Sequence, residues 1–173
     1  MSSLLKDIRS DESYKQFRII FAKAQERLDL DRDLNEALSL HAGRTARKLY
    51  GDKQYSVKSL IDATLKDLSF RSRLVEIRVK ASIQLSLLEE AVKSLRKYIS
   101  TEYADDLKEF STVEQRRNFV DRVVKTPLAF ISEGESLLAT LDMFVRDIDQ
   151  SSYHLKNMME CLKLLSESRG KVV

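Results

Sequence analysis

The sequence predicts an all-α protein: an elongated helical bundle whose long C-terminal amphipathic helix assembles into a ring-like homo-oligomer. Three observations carry the prediction. One proline and four glycines among 173 residues leave few places to break a helix. A third of the residues are charged, and the hydrophobic ones recur at helical steps. The last forty or so residues carry a sustained heptad row. The length is one domain's worth, enough to remove roughly 70% of the unfolded surface. It divides in sequence into an N-terminal helical extension (1–30), a helical DNA-binding region with a long basic helix (31–126) and a C-terminal oligomerisation helix (127–173).

In chain order, residues 1–12 are polar and read as loosely held. From Ser13, the row Tyr14, Phe17, Ile20 or Phe21, Ala24 and Leu28 predicts a helix of about four turns. Asp29, Asp31 and Asp33 interrupt it. Their alternate spacing suggests a calcium loop, but the loop's glycine and closing glutamate are missing, so they read as caps of the next helix. That helix is expected from Leu34 to Tyr50, with Leu34, Leu38, Thr45 and Leu49 on one side and Gly51-Asp52 as its stop. Gly43 within it costs about 1 kcal/mol against Ala, which predicts a bend or a close contact there. Leu38 to Arg44 faintly resembles a helix-turn-helix turn.

From Ser56 to about Ser100 a second helical stretch follows. Leu74, Ile77, Ala81, Leu85, Leu88, Val92, Leu95 and Ile99 recur at a mean step of about 3.6. The earlier row Val57, Leu60, Ile61, Leu65 and Leu68 is out of phase with it, which predicts a bend or short break near Ser69 to Ser72. Thr101 to Ser111 is acidic and reads as a loop with one helical turn. Thr112-Val113-Glu114-Gln115 is a capping box opening a short helix that carries Phe119, Val120, Val123 and Val124.

Pro127 then opens the last helix, with Thr126 as N-cap and Gly170 as its stop. Ile131, Gly134, Leu138, Leu141, Val145, Ile148, Ser152, Leu155, Met159 and Leu162 fall at alternating steps of three and four. Of these, Leu138, Leu141, Val145, Ile148, Leu155, Met159 and Leu162 read as the oligomerisation seam. A second row (Phe130, Leu137, Phe144, Ser151, Met158, Leu165) widens the face, as in a bundle or ring; an ordinary core helix of a monomer needs the same width. Glu135, Asp142 and Asp149 share one heptad position that Lys156 and Lys163 take over. The pattern suits the helix dipole, or a neighbouring helix shifted along or reversed.

Little in the chain points to catalysis. His41 and His154 lack partners for a metal set, and there is neither a Gly-rich phosphate loop nor a nucleophile elbow. Cys161, alone and on an apolar row, reads as packing and as a sign of a reducing, cytoplasmic setting. No apolar run approaches the ~18 residues of a membrane span. Neither metal nor cofactor is expected.

Binding is the remaining class. Net charge is only +3, but it is segregated: eight cations face four carboxylates from Lys66 to Lys97, and five carboxylates face one lysine from Glu102 to Glu114. Such segregation suits a polyanion, an inter-subunit contact, or a plain solvated face. Lys48-Leu49-Tyr50 and Arg96-Lys97-Tyr98 set aromatics beside cations, a pairing that fits single strands better than base reading. The candidate nucleic-acid contacts are Lys48, Arg71, Arg73, Arg78, Lys80, Lys93, Arg96, Lys97 and Tyr98.

The order of parts resembles the UvsY family, the recombination mediators of T-even-like phages. The shared features are the Asp29–Asp33 turn, a helix ending in Lys48-Leu49-Tyr50, a basic helix ending in Lys93 to Tyr98, and a long C-terminal helix through Leu137-Leu138, Ile148 and Met158-Met159. They cover roughly residues 29–165. The family's Tyr-Tyr-x-Gly-Lys tip is replaced by Tyr98-Ile99-Ser100-Thr101. The resemblance implies a ring-forming protein of the phage host's cytoplasm that binds single-stranded DNA, helps displace single-strand-binding protein and loads a RecA-like recombinase. Two other classes remain open: a packaging protein like a terminase small subunit, with residues 34–68 reading duplex, and a purely structural helical scaffold or adaptor.

Overall fold

The computed structural model describes residues 2–44 and 56–169. Within them the chain is helical, with no strand among the described residues: α1 (Ser2–Ser10), α2 (Glu12–Arg27), α3 (Leu30–Ala42), α4 (Val57–Glu102), α5 (Ala104–Leu107), α6 (Val113–Val123) and α7 (Lys125–Arg169). Two compact units form, each from separated stretches: Met1–Leu30 with Lys80–Leu137, and Asp31–Val79 with Leu138–Val173. Both α4 and α7 contribute to each unit. Among the described residues no helix is long and apolar enough to cross a membrane.

The first unit has its own core. Residues 2–12 are not loose: α1 buries Leu4 and Ile8, four residues apart on one face, against Phe17, Phe21 and Ala24 of α2 and Leu88, Val92, Leu95 and Ile99 of α4. Asp11 caps α2, its carboxylate accepting the Ser13 N–H at 2.7 Å. Phe21 meets Phe130 of α7 edge-on, with ring centroids 5.8 Å apart. Leu107 and Phe110 anchor the acidic connection, into which α4 runs as far as Glu102 and where α5 adds one helical turn. The Thr112 cap forms as expected, its hydroxyl accepting the Gln115 N–H at 3.1 Å. Only Val124 separates α6 from α7, which begins at Lys125; Pro127 lies in the first turn, where its missing N–H costs no helical bond. Gly134 is required by packing: a Cβ there would stand 2.6 Å from Leu85 Cδ1.

The second unit overturns three expectations. No break falls at Ser69 to Ser72: α4 runs unbroken from Val57 to Glu102. The early apolar row is itself divided between two faces of the helix: Leu60 is buried, as are Ala63 and Leu74, while Val57, Ile61, Leu65 and Leu68 are exposed. The helix expected from Leu34 begins at Leu30 and turns out at Gly43, with Ala37 and Asp33 inward and Leu38 outward; Thr45 to Gly51 lie outside the described residues, as does Gly170. Third, the seam on α7 is largely the chain's own interior. Leu141, Ile148 and Leu155 retain 0% of their accessible surface, so they have none to offer a second copy. Leu138 and Val145 are half-buried, and Met159 and Leu162 pack against Leu60, Ala63 and Leu155.

Candidate nucleic-acid interface

In the second unit the three expected arginines of α4, Arg71, Arg73 and Arg78, are already paired. The α7 acids Asp142 and Asp149, seven residues apart, meet the α4 arginines Arg78 and Arg71, also seven apart. Here α7 runs antiparallel to α4, and the equal spacing lets both pairs form at once. Arg71 donates to Asp149 through Nε at 2.6 Å and Nη2 at 3.2 Å, and Arg78 makes the matching bidentate contact with Asp142. Arg73 reaches Glu36 of α3 at 2.6 Å and Glu76 at 3.0 Å. Hydrogen bonding to Asp149, and then its charge, raise the Arg71 pKa above its ordinary value. A phosphate arriving at any of the three would exchange one anion for another, with little Coulomb gain.

Deeper in this unit, Arg44 and Asp67 form an ion pair with both side chains at 0% exposure and Nη2 to Oδ2 at 2.8 Å. Asp147 accepts from Arg44 Nη1 at 2.5 Å and from His41 Nε2 at 2.7 Å, and the His41 ring stacks on Phe144 with centroids 3.9 Å apart. Burial works against the Arg44 charge, but the carboxylates of Asp67 and Asp147 outweigh it and raise its pKa. Sequence reading singled out His41 and Arg44 but had no means of joining them to positions 67 and 147. Among the described residues no group of three or more His, Cys, Asp or Glu side chains is placed to hold a metal ion; Asp33 instead pairs with Arg32 at 3.1 Å.

In the first unit the expected contacts scatter. Lys80, Lys93 and Lys97 are exposed on α4, Lys93 at 3.9 Å from Glu90. Arg96 pairs with Asp121 of α6 at 2.5 Å. Tyr98 is half-buried, and its hydroxyl donates to Asp11 at 3.0 Å beside that of Tyr103 at 3.2 Å, so it serves as a tie between α4 and the start of α2. Lys48 lies outside the described residues.

What the first unit does assemble is a cleft that sequence reading missed. Residues of α1, α2 and α6 and the start of α7 enclose about 780 Å³, with Arg9, Lys15, Arg18 and Arg122 at its walls and Tyr14, Phe17, Phe21 and Pro127 among its apolar lining. None of the lining residues is acidic. Arg9, Arg18 and Arg122 make no ion pair among the described residues, and Lys15 makes only a 3.9 Å exposed contact with Glu12. A second hollow of about 410 Å³, between α4, α5 and α6, carries Arg96, Lys108, Arg116 and Arg117 with Asp121 as its one acid. The short α6 thus gives Arg116 and Arg117 to one hollow and Arg122 to the other. Cations gathered without counter-charges repel each other, a cost that a bound polyanion removes.

No local charge excess marks this region in the sequence: residues 1–30 hold six cations and five carboxylates. The site exists because helical spacing turns Lys15 and Arg18 toward one flank and the fold sets Arg9 and Arg122 beside them. Comparison of the chain with protein-family models, with curated proteins and with solved structures finds no match in any of the three.

Proposed function

We propose that this protein is a non-enzymatic binder of single-stranded nucleic acid and that the first unit receives the strand. One observation carries the reading: four cations line an aromatic-floored cleft that holds no carboxylate. Backbone phosphates are met by Lys and Arg, and Tyr14, half-buried at the cleft, offers a ring edge or face to a base. Lys93 and Lys97 on α4 and Arg117 on α6 provide further exposed cations in the same unit. By resemblance of helix order, the finer reading is a recombination mediator that loads a RecA-like recombinase past single-strand-binding protein, working as a homo-oligomer.

The test is fluorescence anisotropy of a labelled single-stranded oligonucleotide with the full chain. Arg18→Glu with Arg122→Glu is expected to weaken binding at least tenfold without changing the fold. At about 0.7 per neutralised phosphate, four contacts predict a slope of about −3 for the logarithm of affinity against that of salt. Unchanged affinity in the double variant refutes the site. Tighter binding to duplex in direct competition would favour the packaging-protein class instead, and no binding at low salt would favour a scaffold.

A further inference from the structure

The α2 wall of the cationic cleft changes character along its length. Lys15, Arg18, Ala22 and Gln25 follow one another at steps of three, four and three, which places them on one flank of the helix, and all four line the cleft. Lys15 and Arg18 lie about 4.5 Å apart along the helix axis, and Arg18 and Gln25 about 10 Å apart. Arg9 precedes the first residue of α2 by three positions and so stands near the same end as Lys15. Beyond Arg18 the wall is uncharged: Ile19, Phe21, Ala22 and Gln25 line the cleft there, and the α2 cations Lys23 and Arg27 do not.

A nucleotide has the same division. Its phosphate is anionic, while its base is neutral, with π-faces and hydrogen-bonding edges. The cations suit the first part. The second fits a stretch where Ile19, 49% exposed, offers an apolar surface, Ala22 extends only a methyl from the helix, and Gln25 supplies a neutral polar tip. The protein itself leaves that tip unused. Gln16 on the same helix donates its amide to Glu12 at 3.0 Å, whereas Gln25 is exposed and makes no side-chain hydrogen bond among the described residues. A lysine in its place would hold one more phosphate. A carboxamide carries a donor and an acceptor side by side, and so matches a base edge that shows an acceptor beside a donor. In an unpaired adenine the N6 amino group stands between two acceptors, N1 and N7, and completes that pair on either edge. Thymine and cytosine offer it on one edge only.

We propose that Gln25 is the base-reading residue of this cleft: a strand lies with a phosphate at the Arg9, Lys15 and Arg18 end and a base at the Gln25 end, where adenine is favoured over the pyrimidines. The inference rests on the strand-binding reading of the cleft and adds a base preference to it. Fluorescence anisotropy of the full chain with labelled oligo-dA, oligo-dT and oligo-dC of equal length, at one salt concentration, tests it. The wild type should bind oligo-dA about fivefold more tightly than either pyrimidine strand, the lower end of what one bidentate pair discriminates. Gln25→Ala should bring oligo-dA down to the affinity of oligo-dT and leave oligo-dT within twofold of wild type, because the phosphate contacts are untouched. The change removes no hydrogen bond within the protein, so the helical circular dichroism should be unaltered. A wild type without a preference for oligo-dA, or a preference that survives Gln25→Ala, overturns the inference and leaves the strand-binding reading to stand on Arg18→Glu with Arg122→Glu. Absence of binding to every oligonucleotide at low salt overturns both.

Discussion

The arginines of α4 in the second unit and the cations around the first unit's cleft are used in opposite ways. In the second unit each arginine of α4 is closed onto a carboxylate of the same unit: Arg71 on Asp149, Arg73 on Glu36 and Glu76, Arg78 on Asp142. In the first, Arg9, Lys15, Arg18 and Arg122 surround a cleft without an acid. A cation that has its anion contributes to structure; one kept apart from anions is available for a ligand. Counting positive charge along α4 therefore finds arginines that already have anions, and counting unmatched charge finds the cleft proposed above as the binding site.

The largest effect expected from this contrast is in the second unit's interior. Asp67→Ala would leave the Arg44 guanidinium buried without its main partner, a change that costs about 3–5 kcal/mol in comparable settings. Urea unfolding should show it as a large fall in midpoint. Replacing both partners with apolar residues of similar volume should recover most of the loss, because the penalty lies in the orphaned charge. If Asp67→Ala were nearly neutral, the pair would not be closed to water.

Next in size is Gly134→Ala in the first unit. The added methyl would collide with the Leu85 side chain, and overpacking of this kind costs about 1–3 kcal/mol. Gly134→Ala with Leu85→Ala should be destabilised less than the two single changes added together, which thermal unfolding of all three variants would show.

Smaller still is the loss of the half-exposed pairs. Arg71→Ala and Arg78→Ala should each cost about 0.2–1 kcal/mol of stability and leave single-strand affinity within twofold of wild type. This prediction divides the two units most sharply. Should these changes weaken strand binding as much as Arg18→Glu with Arg122→Glu, the distinction between matched and unmatched cations would fail.

How much of this was legible in the sequence follows from how local each feature is. The Thr112 cap, Pro127 in the first turn and the rows of α2 and α7 depend on neighbours within one or two turns, and all were readable. The acid row Asp142 and Asp149 suits the helix dipole as well as a neighbouring helix shifted along or reversed, and choosing among these meant matching the spacing of Arg71 and Arg78 across some seventy residues. The phase break near Ser69 was visible yet ambiguous: the same shift arises from a bend in one apolar face or from two faces on one helix, and only burial separates them. Leu4 and Ile8 were missed because a single apolar pair among polar residues is too weak a signal. The cleft was illegible because its four cations come from three helices, none of which carries a net charge above +2.

The smallest expected effect sharpens the account of the first unit's N-terminal tie. Burial pushes the Asp11 carboxyl up, but hydrogen bonds from the Ser13 N–H and the Tyr98 and Tyr103 hydroxyls outweigh it and hold it below its ordinary 3.8. The tie therefore contributes stability above that value and loses it as pH falls through the depressed folded one. Tyr103 behaves in reverse. Burial, then the Asp11 charge, push its hydroxyl up to about 12 from 10.0. Its neutral form is the one the fold prefers, so its contribution is intact below pH 10 and disappears as pH rises toward 12. Tyr103→Phe should flatten the alkaline limb of a urea-midpoint profile, and Asp11→Asn should flatten the acid limb. Each change should stay within about 1 kcal/mol, the scale of one side-chain hydrogen bond. Both should leave strand affinity untouched, because neither group lines the cationic cleft. A loss of affinity in Asp11→Asn would mean that α1 and α2 must be held in place for Arg9 and Arg18 to meet the strand together, and would make the tie part of the binding site.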